Sequence, residues 1–212
     1  MSDPVAAVLP AEVGHDRTAR RILEHAAQLF GTRGVHGTSM REIATATGIR
    51  APSIYEHFAS KEDLVAELMR IGRDVTIETY DAALRGVPGD PLERLDASVD
   101  VLVTIHTTHP MLMRILTDDV HGMSPAATAP ALNLRLEMSL RLGQILVEGE
   151  QQGLLSFPNL VSTVAAVHGL FIRIPYWFTP GDDYGVAELC DDYRELVRSM
   201  LRVGSVRLDG ST

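Results

Sequence analysis

The sequence predicts an all-α fold of about nine helices, and three observations carry that prediction. Apolar residues recur three and four apart along most of the 212 residues, which is the period of an amphipathic helix. Glycine and proline fall mostly between these periodic runs, where they stop helices. No run alternates apolar and polar residues in the manner of a half-buried strand, and there is no repeat or low-complexity tract.

Residues 1–14 contain two prolines and no apolar periodicity, so a disordered arm is expected there. The first helix spans Arg17–Arg33: Ile22, Ala26 and Phe30 stand four apart and Leu23 and Ala27 widen the stripe. Gly31 and Gly34 are expected to end it. Ser39 and Glu42 form a capping box that opens a short second helix, which closes at Gly48. A third helix is expected over residues 49–58, with Pro52 in its first turn and Ile54 and Phe58 facing inward. Ser60 then caps a long helix with Glu62 and Asp63 at its positive end, running to about Arg85. The clearest break is Gly86-Val87-Pro88-Gly89-Asp90-Pro91. Five more helices follow, at roughly 91–108, 110–121, 126–152, 158–178 and 185–203. The 126–152 segment is apolar nearly all round (Leu132, Leu134, Leu136, Met138, Leu140, Leu142) and is expected to be central. Pro175 is expected to kink or end its helix, because it lacks the N–H that would bond Phe171.

The net charge of −9 hides an asymmetry. His15–Lys61 holds seven basic residues against four acidic ones, while the chain from Glu62 onward holds twelve arginines against twenty-two acidic residues. The short basic end can meet phosphates and the acidic remainder faces away from them. Two short helices joined by Thr47-Gly48-Ile49 fit a helix-turn-helix. Its second helix carries Arg50, Ser53, Tyr55, Glu56 and His57 outward, toward a major groove. Arg50 suits a guanine edge or a phosphate. Tyr55 and His57 each offer one donor on a rigid ring. Lys61, the sole lysine, sits where helix amides already favour an anion. The plain alternative is a packing motif in which Tyr55 covers the core and Arg50 is a solvated charge.

The run Ile22-Leu23…Ala26…Leu29-Phe30…Gly34…Thr38-Ser39…Ile43-Ala44…Gly48…Pro52-Ser53-Ile54-Tyr55…His57-Phe58…Ser60-Lys61-Glu62…Leu64 closely resembles the TetR family of bacterial repressors. The match covers about fifty residues. The resemblance implies a homodimer with two DNA-binding heads (residues 15–61) and a ligand-binding and dimerisation body, a helical bundle over residues 62–212. It also implies a double-stranded DNA operator and a small effector that releases it; the methionines of the body, Met111, Met113, Met123 and Met138, favour a largely hydrophobic one. By the same resemblance Thr38, Tyr55, His57 and Lys61 hold phosphates, Arg50, Ala51 and Ser53 lie near bases, and Ser39 belongs to the DNA-facing set. Glu56 would discriminate by repulsion or by accepting from a cytosine amine.

For the body, Leu92, Leu95, Val99 and Leu102 form a stripe whose next member is His106. That histidine is either a satisfied core residue or a polar anchor in a pocket. His168 poses the same choice, with the dimer interface as a third. Met113 and Met138 suggest an adaptable cavity wall, as against ordinary core filling. Phe171 and Trp177 complete the expected pocket. Arg173 amid Ile172 and Ile174 needs a partner: Trp177, a carboxylate across a dimer, or an anionic ligand. A stripe including Cys190, Tyr193 and Val197 is expected to supply the dimer seam.

The only cysteine rules out an intrachain disulfide and fits a reducing cytoplasm. No apolar run reads as a membrane span and no secretory signal is evident. No nucleophile elbow, phosphate loop, metal-spaced Cys/His set or dinucleotide glycine run is present, so neither enzyme activity nor a cofactor or metal is expected. The alternative function is a helical protein-binding adaptor that keeps the head as scaffold.

Overall fold

The structure, a computed structural model, describes residues 9–10, 14–87, 89–117, 122–179, 181 and 184–203. Among them are ten helices: α1 (Arg17–Arg33), α2 (Met40–Thr47), α3 (Ala51–Ile54), α4 (Lys61–Leu84), α5 (Pro91–Thr108), α6 (Pro110–Thr117), α7 (Pro125–Gln151), α8 (Leu160–Phe171), α9 (Ile174–Trp177) and α10 (Val186–Met200). These are the nine expected segments, with the one around Pro175 divided. The end of the 110–121 segment and most of the expected N-terminal arm lie outside the described residues. Of that arm Leu9 is buried, and Arg20 donates to the Pro10 carbonyl at 3.0 Å.

The chain forms two compact units, one of residues 1–77 with 108–134 and one of residues 78–107 with 135–212. The first therefore reaches well past the motif boundary at Lys61. It takes in the apolar first half of α4, whose Leu64, Val65, Leu68 and Met69 are all buried. In α1, Asp16 caps the first turn by accepting from Thr18 and Ala19 N–H. Ile22, Leu23, Ala26, Ala27 and Phe30 form its buried face. Gly34 closes the helix at φ +76°. Gly31 does not end it. A Cβ there would stand 2.6 Å from Met111 Sδ and 3.2 Å from Met111 Cα, so this glycine lets α6 lie close against α1. Arg114 of α6 secures the contact by donating to the Gly31 carbonyl at 2.9 Å.

In the second unit, α8 ends at Phe171 and α9 restarts at Ile174, so the interruption falls just ahead of Pro175. Arg94 pairs with Glu148, Arg194 with Asp100 at 2.6 Å, and Arg198 with Asp96. The last two pairs tie α5 to α10.

Three expectations change. Helix α7 is not apolar all round in its packing: Leu134, Met138 and Leu142 are buried, but Leu132, Leu136 and Leu140 are more than half exposed. Residues at this spacing share a face, and that face has no cover among the described residues. The stretch Leu160–Trp177, where no span is expected, is long and apolar enough to pass as one. Its helix is broken at Ile172 and Arg173, and α8 at twelve residues reaches only about 18 Å at the usual helical rise, short of a bilayer core. The third change concerns the expected dimer seam. Cys190, Tyr193 and Val197 are buried within their own chain, Tyr193 donating to the Leu170 carbonyl at 3.3 Å. The fuller apolar stripe of α10 covers its own core, leaving Leu196 and Met200 exposed.

Candidate DNA-binding head and ligand slot

The head is assembled by local signals. Ser39 Oγ accepts from Glu42 N–H at 3.3 Å, and the Glu42 carboxylate accepts from Ser39 N–H at 2.8 Å and Ser39 Oγ at 2.7 Å. The Ser39 bonds, side chain first and then backbone, hold the Glu42 carboxyl below its ordinary range. Gly48 sits at φ 74°, ψ 28° and returns its N–H to the Ala44 and Thr45 carbonyls. This is the left-handed turn that only glycine adopts without strain. Arg21 of α1 donates to the Thr47 carbonyl and braces the same corner. Nothing in the spacing of Arg21 distinguished it from the other basic residues of α1.

Helix α3 is shorter than expected. It is a single turn from Ala51 to Ile54, continued by bonds from His57 and Phe58 N–H to the Ile54 carbonyl at 3.1 and 2.9 Å. Arg50 precedes it in extended backbone, and Pro52 stands in its first turn. Ile54 and Phe58 are buried, while Arg50, Tyr55, Glu56 and His57 are exposed and Ala51 and Ser53 half-buried. Tyr55 leaves 54% of its surface in solvent, so it does not cover the core. His57 Nδ1 lies 3.6 Å from the carboxylate of Asp16.

Two residues expected at phosphates are placed differently. Thr38 is 2% exposed, and its hydroxyl donates to the Gly34 carbonyl at 3.1 Å. Its side chain stabilises the turn between α1 and α2 and is not turned to solvent. Lys61 Nζ donates to the carbonyls of Val35 at 2.9 Å and Thr38 at 3.1 Å. The ammonium thus clasps the loop that presents Ser39, with a third donor left over.

The second unit holds a narrow slot of about 10 Å³, barely room for one water molecule. Met138, His168 and Phe171 line it, together with Tyr80, Leu95 and Leu102 among others. The Tyr80 hydroxyl lies 2.7 Å from Ser98 Oγ, and Ser98 donates onward to the Arg94 carbonyl at 2.7 Å. Among the described residues the buried His168 Nε2 has no hydrogen-bond partner, and burial lowers the pKa of its ring. His106 is not on the slot wall. It is a satisfied core residue, with Nδ1–H donating to the Leu102 carbonyl at 2.7 Å and its ring against Phe171. Burial pushes its pKa down to about 4. Met113 is buried in the first unit. Trp177 is 54% exposed and edge-on to Phe178, and Arg173 lies over the ring of Tyr176 rather than Trp177.

Two family models match the chain. Residues 22–68 match the model of the bacterial regulatory proteins of the tetR family, and residues 88–201 match that of the tetracyclin repressor-like C-terminal domain. The transcriptional repressor KstR2 of Mycobacterium tuberculosis is 43% identical over 74 residues, 35% of this chain and 36% of its own length. The transcriptional activator FasR of Mycolicibacterium smegmatis is 33% identical over 85 residues, 40% of this chain and 38% of its own. The chain therefore matches little more than a third of either relative. Among solved structures, AibR in complex with isovaleryl coenzyme A and operator DNA has a TM-score of 0.76 at 25% identity, over 88% of this chain and 99% of AibR. The KstR2 structure, at 24% identity and a TM-score of 0.78, shares the fold over 87% of this chain and 95% of its own. Members of this family are DNA-binding regulators, not enzymes. With the C-terminal model alone spanning more than half of the sequence, the chain belongs to the tetR family of bacterial regulatory proteins.

Proposed function

We propose that the chain is a homodimeric repressor that binds operator DNA through its helix-turn-helix and leaves it when a small molecule occupies the second unit. The exposed cluster of Arg50, Tyr55 and Ser39 around a glycine turn carries this reading. Arg50 is placed to reach a base edge or phosphate, and Tyr55, Ser39 and the Ser39 backbone to reach phosphates. His57, Ala51 and Ser53 border the same surface. Thr38 and Lys61 act by fixing the loop between α1 and α2, Lys61 keeping one donor for a phosphate. KstR2, a repressor by name, supports the direction of control.

Exposed apolar side chains in the second unit support the dimer: Val161, Ile172, Tyr176 and Trp177 along residues 160–177, and Leu196 and Met200 on α10. Arg173, among these residues, remains at the proposed seam, whereas Cys190, Tyr193 and Val197 back it from within. The slot beside Met138, His168 and Phe171 is the proposed effector site. An effector that prefers a body whose two heads are wrongly spaced for DNA shifts the population off the operator. The acyl thioester bound to AibR is one effector class that suits such a site.

The test is binding of the purified protein to its own upstream DNA over a salt series. Selective binding that weakens steeply with salt, and falls in Tyr55→Ala, is expected. Equal binding to random DNA, unchanged in Tyr55→Ala, would favour a protein-binding adaptor instead.

A further inference from the structure

Asp16 divides its carboxylate between two tasks. Oδ1 accepts from Thr18 N–H at 2.8 Å and Ala19 N–H at 2.9 Å, which caps α1. Oδ2 stands 3.6 Å from Nδ1 of His57, on the turn that follows α3. The cap bonds, that from Ala19 N–H above all, hold the Asp16 carboxyl below its ordinary range, and the nearby His57 and His15 act in the same direction. The group beside His57 is therefore an anion at neutral pH, and a helix start fixes where it sits. An exposed ion pair of this kind adds little to stability. Its position matters more, because His57 borders the surface proposed to meet phosphates.

A neutral imidazole carries one proton, so one ring nitrogen donates and the other accepts. With Asp16 at Nδ1 and a DNA phosphate at Nε2, both neighbours of the ring are acceptors. A neutral ring satisfies one of them and turns a lone pair on the other. The doubly protonated ring donates to both. Histidine gains that second proton within the range of pH 5 to 8. The other charged groups near the ring are mostly engaged elsewhere. His15 packs its ring against Phe58 and bonds Glu67 of α4 at 2.5 Å, and Glu67 is held by Arg70 as well. At the start of α4, Lys61 is committed to the Val35 and Thr38 carbonyls, and Glu62 accepts from Ser124. Glu56, beside His57 in the chain, is exposed. Among the described residues, Asp16 is the carboxylate within ion-pair reach of the His57 ring.

We infer that Asp16 is a positioning residue for DNA contact: it orients His57 and obliges the ring to take up a proton as the operator binds, so that operator affinity falls as pH rises through neutrality. The inference rests on the DNA-binding reading above and adds proton linkage to it. DNA and the proton each strengthen the other's hold on the head, by the same factor. The device lies wholly within the head and needs no effector.

The test measures binding of the full chain to a duplex of its own upstream DNA and to a random duplex, at constant ionic strength, from about pH 6 to about pH 8.5. Parent affinity for the upstream duplex is expected to fall about tenfold over that range, as one linked proton implies. Asp16→Asn keeps the cap, since asparagine caps a helix as well as aspartate does. It puts an amide donor where Oδ2 stood, so that a neutral ring then serves the phosphate from Nε2. Its affinity is expected to change less than about threefold over the same range, with melting like the parent's. Asp16→Ser, which caps equally well but is too short to reach the ring, should give the same flat profile. His57→Gln should be flat too, whereas His15→Gln should stay as steep as the parent. A flat parent profile, a steep slope that survives in both Asp16 variants, or one that survives in His57→Gln overturns the inference and leaves the DNA reading standing on its selective binding. Equal binding to both duplexes at every pH overturns the DNA reading, and the inference with it.

Discussion

Tyr55 and Tyr80 stand at the two proposed sites in opposite circumstances. Tyr55 is mostly in solvent beyond the end of a one-turn helix, and its ring supports no core. Tyr80 is 2% exposed, hydrogen-bonded through its hydroxyl and covered by a guanidinium. The same contrast runs through the two units. The head presents a polar surface whose most exposed members, Arg50 and Tyr55, support no core, while Ser39 and Lys61 also cap and clasp the scaffold. In the second unit the slot is part of the core, so the residues proposed to meet the ligand are also those that hold the unit together. A site of the first kind binds without rearranging. A site of the second kind must open, and can therefore report occupancy.

The largest expected effect tests this overlap. Phe171→Ala removes a wholly buried ring from the slot wall and should cost about 3–5 kcal/mol in denaturant unfolding. A loss below about 1 kcal/mol would mean that the slot is not part of the core.

A pH effect of comparable size comes next. His106 is neutral in the folded chain, with its pKa pushed down to about 4 from 6.5, chiefly by burial. Between those values the unfolded chain binds a proton that the folded chain does not. Stability is therefore full above pH 6.5 and is lost as pH falls toward 4, by about 3 kcal/mol from this residue. His168 and His109, also lowered by burial, act in the same direction. Thermal melts of His106→Gln against the parent between pH 7 and 4 should show a shallower acid slope, and parallel slopes would remove His106 from the account.

In the head, Gly48→Ala forces a side chain into the left-handed region and should cost about 1–2 kcal/mol while weakening DNA binding. Smallest in stability is Tyr55→Ala, expected to stay within about 0.5 kcal/mol of the parent in melting yet lose about tenfold in operator affinity. A Tyr55 variant that unfolds, or a Gly48 variant that does not, would blur the line between the two kinds of site.

The same contrast explains what was legible in the sequence. The head is written in signals that act over a few residues: the Ser39–Glu42 box, the Gly48 turn, Pro52 at a helix start. Each reads correctly because its partners are neighbours. Periodicity likewise located the helices and their buried stripes. What periodicity does not encode is which of two apolar faces meets which neighbour. That is why the pattern suggests a seam between subunits at Cys190, Tyr193 and Val197, which cover their own core, and burial at Leu132, Leu136 and Leu140, which are exposed. Met138, His168 and Phe171 share the slot, whereas Met113 and Trp177, which suit the same wall by residue type, do not line it. Gly31, read as a stop, serves a contact with Met111, far along the chain. Lys61, by its place at a helix start, and Thr38, by resemblance, both point to phosphates, and only their hydrogen bonds reveal a supporting role.

The bonding of Lys61 has a practical consequence. The chain has a single ε-amino group, and two of its three donors are committed to the Val35 and Thr38 carbonyls. Apart from the chain terminus, an amine-reactive reagent thus meets one side chain, and must break the clasp to capture its nitrogen. The rate of that single acylation becomes a gauge of how often the loop between α1 and α2 lets go, readable by mass spectrometry with and without DNA.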